Sequence, residues 1–436
     1  MASYSETLDR IYNLRGGIID LRLDRVAAAL KTFGHPERNF PSIHVAGTNG
    51  KGSTSAMLQR ILCVAGYRTG LYTSPHLVSF TERIKIGDEE ITEEEVVAIA
   101  DEIWQRTASA AIALTYFEVV TVMGFVYFAR RSIDIAVVEV GLGGRYDATN
   151  VITPLVSLIT TISKDHEAFL GADLLSIAGE KAGIIKPGIP VVCGALSTEV
   201  KEVFRRRAKE QESKVYFFGS DFNFFLKPEA LFDYTGVKQH YSGLSLRLRG
   251  LHQRYNACVA LAGLEVVDSQ FPVAENAIRA GLATVQWPGR LEVMLEKPTV
   301  VIDGAHNGEG ILALVEALES YRERKIKLLF AAMSDKDWRL MLTRLIGAVS
   351  EAMFTKVAME RSTDPAELAR HCAGRIAVRW NPDSKAALRI LIDECAPDDV
   401  IVVAGSLYLL GEIRPMLQEI AGQSPNPTAE AQLYAR

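Results

Sequence analysis

The residues best suited to chemistry stand together in Gly47-Thr48-Asn49-Gly50-Lys51-Gly52-Ser53-Thr54, where glycines surround one lysine and two hydroxyls follow. A glycine-rich turn at a helix N-terminus aims backbone N–H groups at a phosphate, the lysine adds charge, and a hydroxyl can reach Mg²⁺. The preceding Ser42-Ile43-His44-Val45-Ala46 is a short, mainly apolar run, and Ala56, Met57, Leu58, Ile61 and Leu62 follow at helical spacing. The pattern predicts strand, loop, helix. It departs from the general G-x-x-x-x-G-K-[ST] spacing, because the first glycine is two residues too close and Gly52 separates Lys51 from Ser53. A plain glycine turn before a helix is the alternative.

Other polar residues fall at the C-terminal ends of predicted strands: Ser74, Glu139, Asp165 and His166. In open α/β sheets ligands bind along that edge, so these positions converge with Lys51 and Ser53 on one crevice. Glu139 ends an apolar strand, as does the acidic residue that supports Mg²⁺ in phosphate-loop proteins, unless it caps a neighbouring loop. His166 on pattern alone is a surface loop histidine. Lys181, in Glu180-Lys181-Ala182-Gly183, reads on pattern alone as a helix-end lysine near a capping glycine. Asp303 and His306 end a later strand and could simply cap the next helix. Arg290 lies in a linker and is either a surface charge or a phosphate contact.

The elements that must position these groups alternate. Strands near Gly70 to Thr73, Asp134 to Val140, Leu155 to Ile162 and Pro190 to Cys193 are separated by helical patterns, including one opened by a Thr92/Glu95 capping box and a long one from Tyr116 to Ala129. This predicts an α/β fold with a mostly parallel sheet. Val215 to Leu251, with alternation such as Leu244-Ser245-Leu246-Arg247-Leu248, is expected to form antiparallel strands at the edge of that domain. A helix follows from Asn256. Gln286-Trp287-Pro288-Gly289-Arg290 is the expected boundary, giving domains 1–287 and 288–424 and a frayed tail at 425–436. The second domain reads as a smaller open α/β sheet with strands near Thr299 to Asp303, Lys327 to Ala331, Ala352 to Val357 and Val400 to Ala404.

The 436 residues carry 48 Lys+Arg against 53 Asp+Glu, so no basic excess points to nucleic acid or a membrane surface. Five scattered cysteines without C-x-x-C spacing read as reduced core residues, and neither a signal peptide nor a membrane-spanning run is expected. A cytoplasmic enzyme with a small ligand is the expectation.

Taken in order, Gly47 to Ser53, Thr73-Ser74-Pro75-His76-Leu77 with Glu82-Arg83, Glu139 to Asn150, Asp165-His166, Glu180-Lys181-Ala182-Gly183-Ile184, Pro288-Gly289-Arg290, Asp303-Gly304-Ala305-His306-Asn307 and Asp335-Lys336-Asp337 resemble the folylpolyglutamate synthase/dihydrofolate synthase family of the Mur ligase superfamily. The resemblance spans nearly the whole chain. It implies a larger N-terminal phosphate-loop ATPase domain and a smaller Rossmann-like C-terminal one. Gly50, Lys51, Gly52 and Ser53 would cradle the ATP phosphates, and Ser74, Glu139 and His166 would ligate Mg²⁺, with one or two ions bound. Lys181 would carry a carbamate, reversing the pattern-based reading. Asn256, Arg290 and Asp303 would hold the nucleotide, with His306 beside it. Lys51, Lys181, His166 and His306 would be the catalytic set. The acceptor's pterin and aminobenzoate would meet the arm Asp20-Leu21-Arg22-Leu23, the segment around Tyr116-Phe117-Glu118, and the turn Tyr146-Asp147-Ala148. Tyr146 stands where many bacterial members have Leu, which leaves the preferred acceptor open.

The implied reaction joins L-glutamate to dihydropteroate and to reduced folates through an acyl phosphate, in a monomer. A folylpolyglutamate synthase alone, a cell-wall Mur ligase acting on a UDP-sugar peptide, and an ATP-sensing regulatory module are the rival readings. The last has no use for Glu139, His166 and Lys181 together.

Overall fold

The computed structural model describes residues 2–14, 22–165, 171 and 173–422, and the chain divides into two compact units. The first comprises Met1–His76, Phe80–Arg247 and Gln253–Gln286; the second comprises Leu77–Ser79, Leu248–His252 and Trp287–Arg436. Asp20, Leu21, His166 and the tail expected at 425–436 lie outside the described residues.

In the first unit the main-sheet strands are β1 (Ser42–Ala46), β2 (Thr69–Tyr72), β3 (Ile84–Ile86), β4 (Glu89–Glu90), β5 (Ile135–Glu139), β6 (Val156–Ile159), β7 (Val191–Cys193) and β8 (Val215–Phe217). Among the described residues they pair in the order β4-β3-β2-β5-β1-β6-β7-β8. β1 is central and parallel to both β5 and β6. All five residues of β1 and of β5 are buried, as expected where helices cover both faces of a parallel sheet. Because β2, β5, β1 and β6 run parallel, their C-terminal ends share one edge, which carries Ser74, Glu139, the loop leading to Lys51 and Ser53, and Asp165.

The helices begin where local chemistry says they should. Ser3 with Glu6, Thr92 with Glu95 and Thr115 with Glu118 form reciprocal capping boxes, each contributing about 1 kcal/mol to its helix start. Helix Tyr116–Arg130 is buried along most of its length, from Glu118 through Phe128, and packs beside helix Glu93–Ser109.

Two regions differ from the sequence reading. β8 extends the main sheet in parallel with β7, while β9 (Asn223–Leu226), β10 (Phe232–Thr235) and β11 (His240–Leu244) form a separate antiparallel sheet. Of Leu244-Ser245-Leu246-Arg247-Leu248 only Leu244 lies in a strand: Leu246 and Leu248 are buried without a ladder, so period-two burial arose there without strand pairing. Helix Leu251–Val267 begins a turn before Asn256. Helix Glu275–Thr284, which the sequence reading missed, packs on the phosphate-loop helix Lys51–Val64 at Gly281, where an added Cβ would lie 2.7 Å from the Ile61 Cα.

The second unit is a six-stranded sheet among the described residues. Its strands are β12 (Glu292–Glu296), β13 (Thr299–Ile302), β14 (Ile326–Phe330), β15 (Glu351–Phe354), β16 (Ala377–Trp380) and β17 (Val400–Ala404), paired in the order β12-β13-β17-β14-β15-β16. Only β12 is antiparallel to its neighbour. One core holds Ile311, Leu314, Phe330, Leu342 and Phe354, and a second holds Leu329, Leu388, Leu391, Leu409 and Ile413, so the sheet is covered on both faces. The smaller α/β unit anticipated from the sequence is present, with β16 added at the edge.

Candidate active site

β1 ends at Ala46, and Gly47 to Gly50 turn the chain into helix Lys51–Val64. Gly50 is the N-cap, at φ +89°, and offers no side chain to the first turn, whose N–H groups therefore face outward. Gly47 has φ +145°, and an added Cβ would sit 1.8 Å from Thr160 Oγ1; at Gly50 it would sit 2.2 Å from Asn256 Oδ1. Both glycines are required by close neighbours as well as by backbone angle. The loop is bolted to the end of β6: Thr48 N donates to Thr161 O at 2.8 Å, Thr160 Oγ1 donates to Asn49 O at 2.7 Å, and Asn49 Nδ2 donates to Ser163 Oγ at 3.1 Å. Thr160 and Thr161 escaped the sequence reading, although their position just past a parallel strand was a signal.

Two lysines converge on this loop. Lys51 Nζ donates to Gly47 O and Thr48 O, both at 3.2 Å, and Lys181 Nζ donates to the same Gly47 O at 2.8 Å. Lys181 ends helix Leu174–Lys181 but is only 4% exposed, which displaces the helix-end reading. Burial first, then repulsion from Lys51, pushes its ammonium down to about 7, against opposing pulls from Asp165 and Asp147. A neutral amine is therefore accessible there near neutral pH.

Glu139, the last residue of β5, is buried, and its Oε2 accepts from Ser74 N at 3.2 Å. The structure thus brings together two of the three expected metal ligands. A buried carboxylate beside a serine is an oxygen donor set suited to a hard divalent cation. Among the described residues no cluster of three His, Cys, Asp or Glu side chains forms, and His166 is not among them.

Asn256 Nδ2 donates to Gln253 Oε1 at 3.0 Å while its carbonyl side abuts Gly50. With Thr160, Thr161, Gly194, Phe218, Tyr255 and Val259 it lines a recess next to the phosphate loop. The aromatic pair Phe218 and Tyr255, with ring centroids 4.8 Å apart, lies too far apart in sequence for any local pattern to join it.

The residues expected to meet an acceptor are placed differently. Glu118, buried, closes its capping box at Thr115 N (2.7 Å) and pairs with Arg25 at 3.0 Å, so its carboxylate is engaged within the fold. Phe117 packs against Gly141, where an added Cβ would lie 2.3 Å from its ring. Tyr116 stacks on Tyr12 with centroids 5.9 Å apart, and the Arg83 guanidinium stands 5.7 Å from the Tyr116 ring. Arg22 is exposed and Leu23 immediately precedes helix Asp24–Thr32. Tyr146 is 46% exposed and Ala148 is buried. The Asp147 carboxylate accepts from Leu142 N at 2.8 Å, Thr149 N at 3.0 Å and Thr149 Oγ1 at 2.5 Å, closing its own turn; burial pushes its pKa up against these bonds. Asn150 Nδ2 ties the turn to Arg145 O and Gly183 O, and Arg145 pairs with Glu180 at 3.1 Å. The turn is thereby fastened to the helix that ends at Lys181.

In the second unit Asp303, just past β13, accepts from Leu291 N and Ala305 N, both at 2.9 Å. His306 Nδ1 donates to Gly304 O at 2.8 Å, which fixes the ring against the loop. Arg290 lies against the same loop, its Nη1 2.8 Å from where a Gly304 Cβ would be. Arg290, Asp303 and His306 thus share one loop cluster.

Comparison with known proteins agrees with this layout. Residues 45–264 match the Mur ligase middle domain and residues 289–407 match the Mur ligase glutamate ligase domain. The chain is 34% identical over 410 residues to the dihydrofolate synthase/folylpolyglutamate synthase of Bacillus subtilis, covering 91% of this chain and 95% of that one. Escherichia coli FolC in complex with DHPP and ADP superimposes with a TM-score of 0.89 at 30% identity, covering 96% of this chain and 98% of that one. The bifunctional folylpolyglutamate synthase/dihydrofolate synthase of Yersinia pestis, complexed with AMPPNP and Mn ion, gives 0.88 at 31% identity, with 96% and 98% covered.

Proposed function

The chain belongs to the folylpolyglutamate synthase/dihydrofolate synthase family of Mur ligases, and we propose from that premise a specific use of each group described above. It is an ATP-dependent amide-forming ligase that adds L-glutamate to folate-type acceptors, with dihydropteroate and tetrahydrofolate polyglutamates as its substrates. The observation that carries the reading is the convergence of Lys51 and the buried Lys181 on the Gly47 carbonyl, at the sheet edge where Glu139 meets Ser74.

A carboxylate acylates poorly, so the acceptor's carboxylate oxygen first attacks the γ-phosphorus of ATP. The bond from that phosphorus to the β–γ bridging oxygen breaks, yielding an acyl phosphate and ADP. The glutamate amine then attacks the acyl carbon, inorganic phosphate leaves, and the amine gives up its proton. The protein's task is to place positive charge around a phosphoryl group moving between two anions. The first-turn N–H groups of Gly52 and Ser53 and the Lys51 ammonium hold the phosphates, and Asn256, beside the loop, is assigned to the nucleotide. Arg290, Asp303 and His306 are assigned to the nucleotide. Glu139, Ser74 and His166 are assigned to Mg²⁺, which when bound neutralises charge gathering on the phosphates. Lys181 is assigned a carbamate, formed when its neutral amine adds to the carbon of CO₂ and loses a proton; the product is an oxygen ligand in place of a cation. Arg22, Leu23, Tyr116, Phe117 and the turn Tyr146-Asp147-Ala148, with Asp20 and Leu21, are assigned to the acceptor. Because Asp147 is closed on its own turn, it serves through backbone and shape.

The assignment includes a cytoplasmic monomer. All five cysteines are unpaired, and among the described residues no helix is long and apolar enough to cross a membrane. ADP release is the test, with dihydropteroate, tetrahydrofolate and a UDP-muramyl acceptor each offered with glutamate. Glutamate-dependent ADP is expected from the first two. Turnover of tetrahydrofolate alone reduces the reading to a folylpolyglutamate synthase, and turnover of the UDP-muramyl acceptor alone overturns it.

A further inference from the structure

His44 takes no part in the reaction above, yet it is a polar side chain at 0% exposure in the middle of the strand that delivers the phosphate loop. Its register partners are Val138 on β5 and Ser157 on β6. Its Nε2 lies 2.9 Å from Thr149 Oγ1, and Thr149 Oγ1 lies 2.5 Å from Asp147 Oδ1. The protons along this chain can be counted. Asp147 accepts from the N–H groups of Leu142 and Thr149, and the single hydroxyl proton of Thr149 also goes to this carboxylate. Thr149 Oγ1 must then accept from His44, and the imidazole is held as the Nε2–H tautomer. Nδ1 is left buried without a hydrogen-bond partner among the described residues. Burial, reinforced by the nearby Lys186 ammonium that donates to Asn150 O at 2.7 Å, pushes His44 down to about 3 and keeps the ring neutral. An apolar residue would fill this strand position without an unsatisfied nitrogen, so what the imidazole adds is its donor to Thr149.

We propose that His44 is a positioning residue for the folate-type acceptor: acting through Thr149, it holds the Asp147 carboxylate in the closed turn and so sets the backbone that the acceptor meets. The turn then has two anchors, His44 on the sheet side and Asn150 on the side of the Lys181 helix. The inference rests on the assignment of Tyr146-Asp147-Ala148 to the acceptor.

Steady-state kinetics on His44→Leu, which removes the donor, and His44→Gln, which can return an N–H near the Nε2 position, provide the test. His44→Leu should raise the KM for dihydropteroate about tenfold, with kcat and the KM for ATP within about twofold of wild type, and His44→Gln should recover the acceptor KM to within about threefold. Equal rises in both KM values, an unchanged acceptor KM, or a Gln variant no better than Leu would overturn it. If His44→Leu does not fold, the full-length wild-type protein labelled with ¹⁵N-histidine decides by long-range ¹H–¹⁵N correlation: a neutral Nε2–H ring supports the inference, and an Nδ1–H ring or an imidazolium at pH 7 overturns it. Tyr146→Ala separates the two levels. If it leaves the acceptor KM unchanged, the assignment of the turn falls; if it raises that KM while His44→Leu does not, only the role of His44 falls.

Discussion

The phosphate crevice and the acceptor turn, both in the first unit, use buried polar groups in opposite ways. At the crevice Lys51 and Lys181 crowd one carbonyl and Glu139 closes a strand end, so charge is gathered where a charged ligand would repay it. At the turn Asp147 and Thr149 satisfy each other and their own backbone, the Asn150 amide donates to Arg145 O and Gly183 O while its Oδ1 is buried without a partner among the described residues, and Glu118 is bound to Thr115 and Arg25. One region crowds like charges around a single carbonyl, and the other ties its carboxylates into hydrogen bonds. Transition-state charge calls for the first kind of site, and recognition of a flat aromatic acceptor calls for a stiff shape of the second kind.

The sharpest break in this contrast would come at the crevice. Lys51→Ala should cut kcat by about 10³-fold, the order seen when one preorganised donor to a developing anion is lost. Its unfolding free energy should stay within about 1 kcal/mol of wild type, because a loop charge contributes little to the core. Near-normal turnover measured by ADP release would mean that this loop does not hold the phosphates. Next in size, Lys181→Ala should lose about 10²-fold in activity, remain inactive with added bicarbonate, and be partly rescued by a short carboxylic acid that fills the vacated ligand position. Carbon-13 bicarbonate should label wild-type Lys181; an unlabelled amine in a fully active, metal-loaded enzyme would return this lysine to a structural role.

On the acceptor side the expected effect of losing Glu118 is on folding. Glu118→Ala removes a cap bond at Thr115 and one ion pair with the partly exposed Arg25, at a cost of about 1 kcal/mol in urea unfolding. A change below about 0.5 kcal/mol would show that Glu118 is not tied into the fold and would return it to the acceptor. A further expectation concerns pH dependence. His44 is held near 3 in the folded protein, against an ordinary value of 6.5, so the unfolded chain binds the extra proton between those values. Its contribution is complete above about pH 6.5 and is lost as pH falls toward about 3, at up to about 1.4 kcal/mol per pH unit. Subtracting the stability curve of His44→Gln from that of wild type isolates the slope; a flat difference would mean that His44 is not held neutral.

What could be read from the sequence was local, and what could not was long-range. Strand, glycine turn and helix around Lys51 follow from spacing within a dozen residues, and the rule that ligands gather past parallel strand ends singles out Ser74 and Glu139, which the fold brings within hydrogen-bond reach. The burial of Lys181 could not be read that way. A helix-end lysine beside Gly183 has the pattern of a surface residue, and its partner, the Gly47 carbonyl just past β1, is 134 residues away in the chain. Glu118 looked available because its partner Arg25 is 93 residues away. The segment after Val215 misled because alternating burial can arise without strand pairing, as at Leu246.

The glycines of the phosphate loop bear on protein engineering. Gly47 and Gly50 leave room that Thr160 Oγ1 and Asn256 Oδ1 occupy, from the end of β6 and from helix Leu251–Val267. Gly47 to Thr54 moved into another strand–loop–helix would therefore arrive with two gaps and neither filler, and its backbone would be loose in the place where phosphate binding needs it stiff. A portable version must bring a hydroxyl and an amide on two further elements, making this loop a three-piece module and not a cassette.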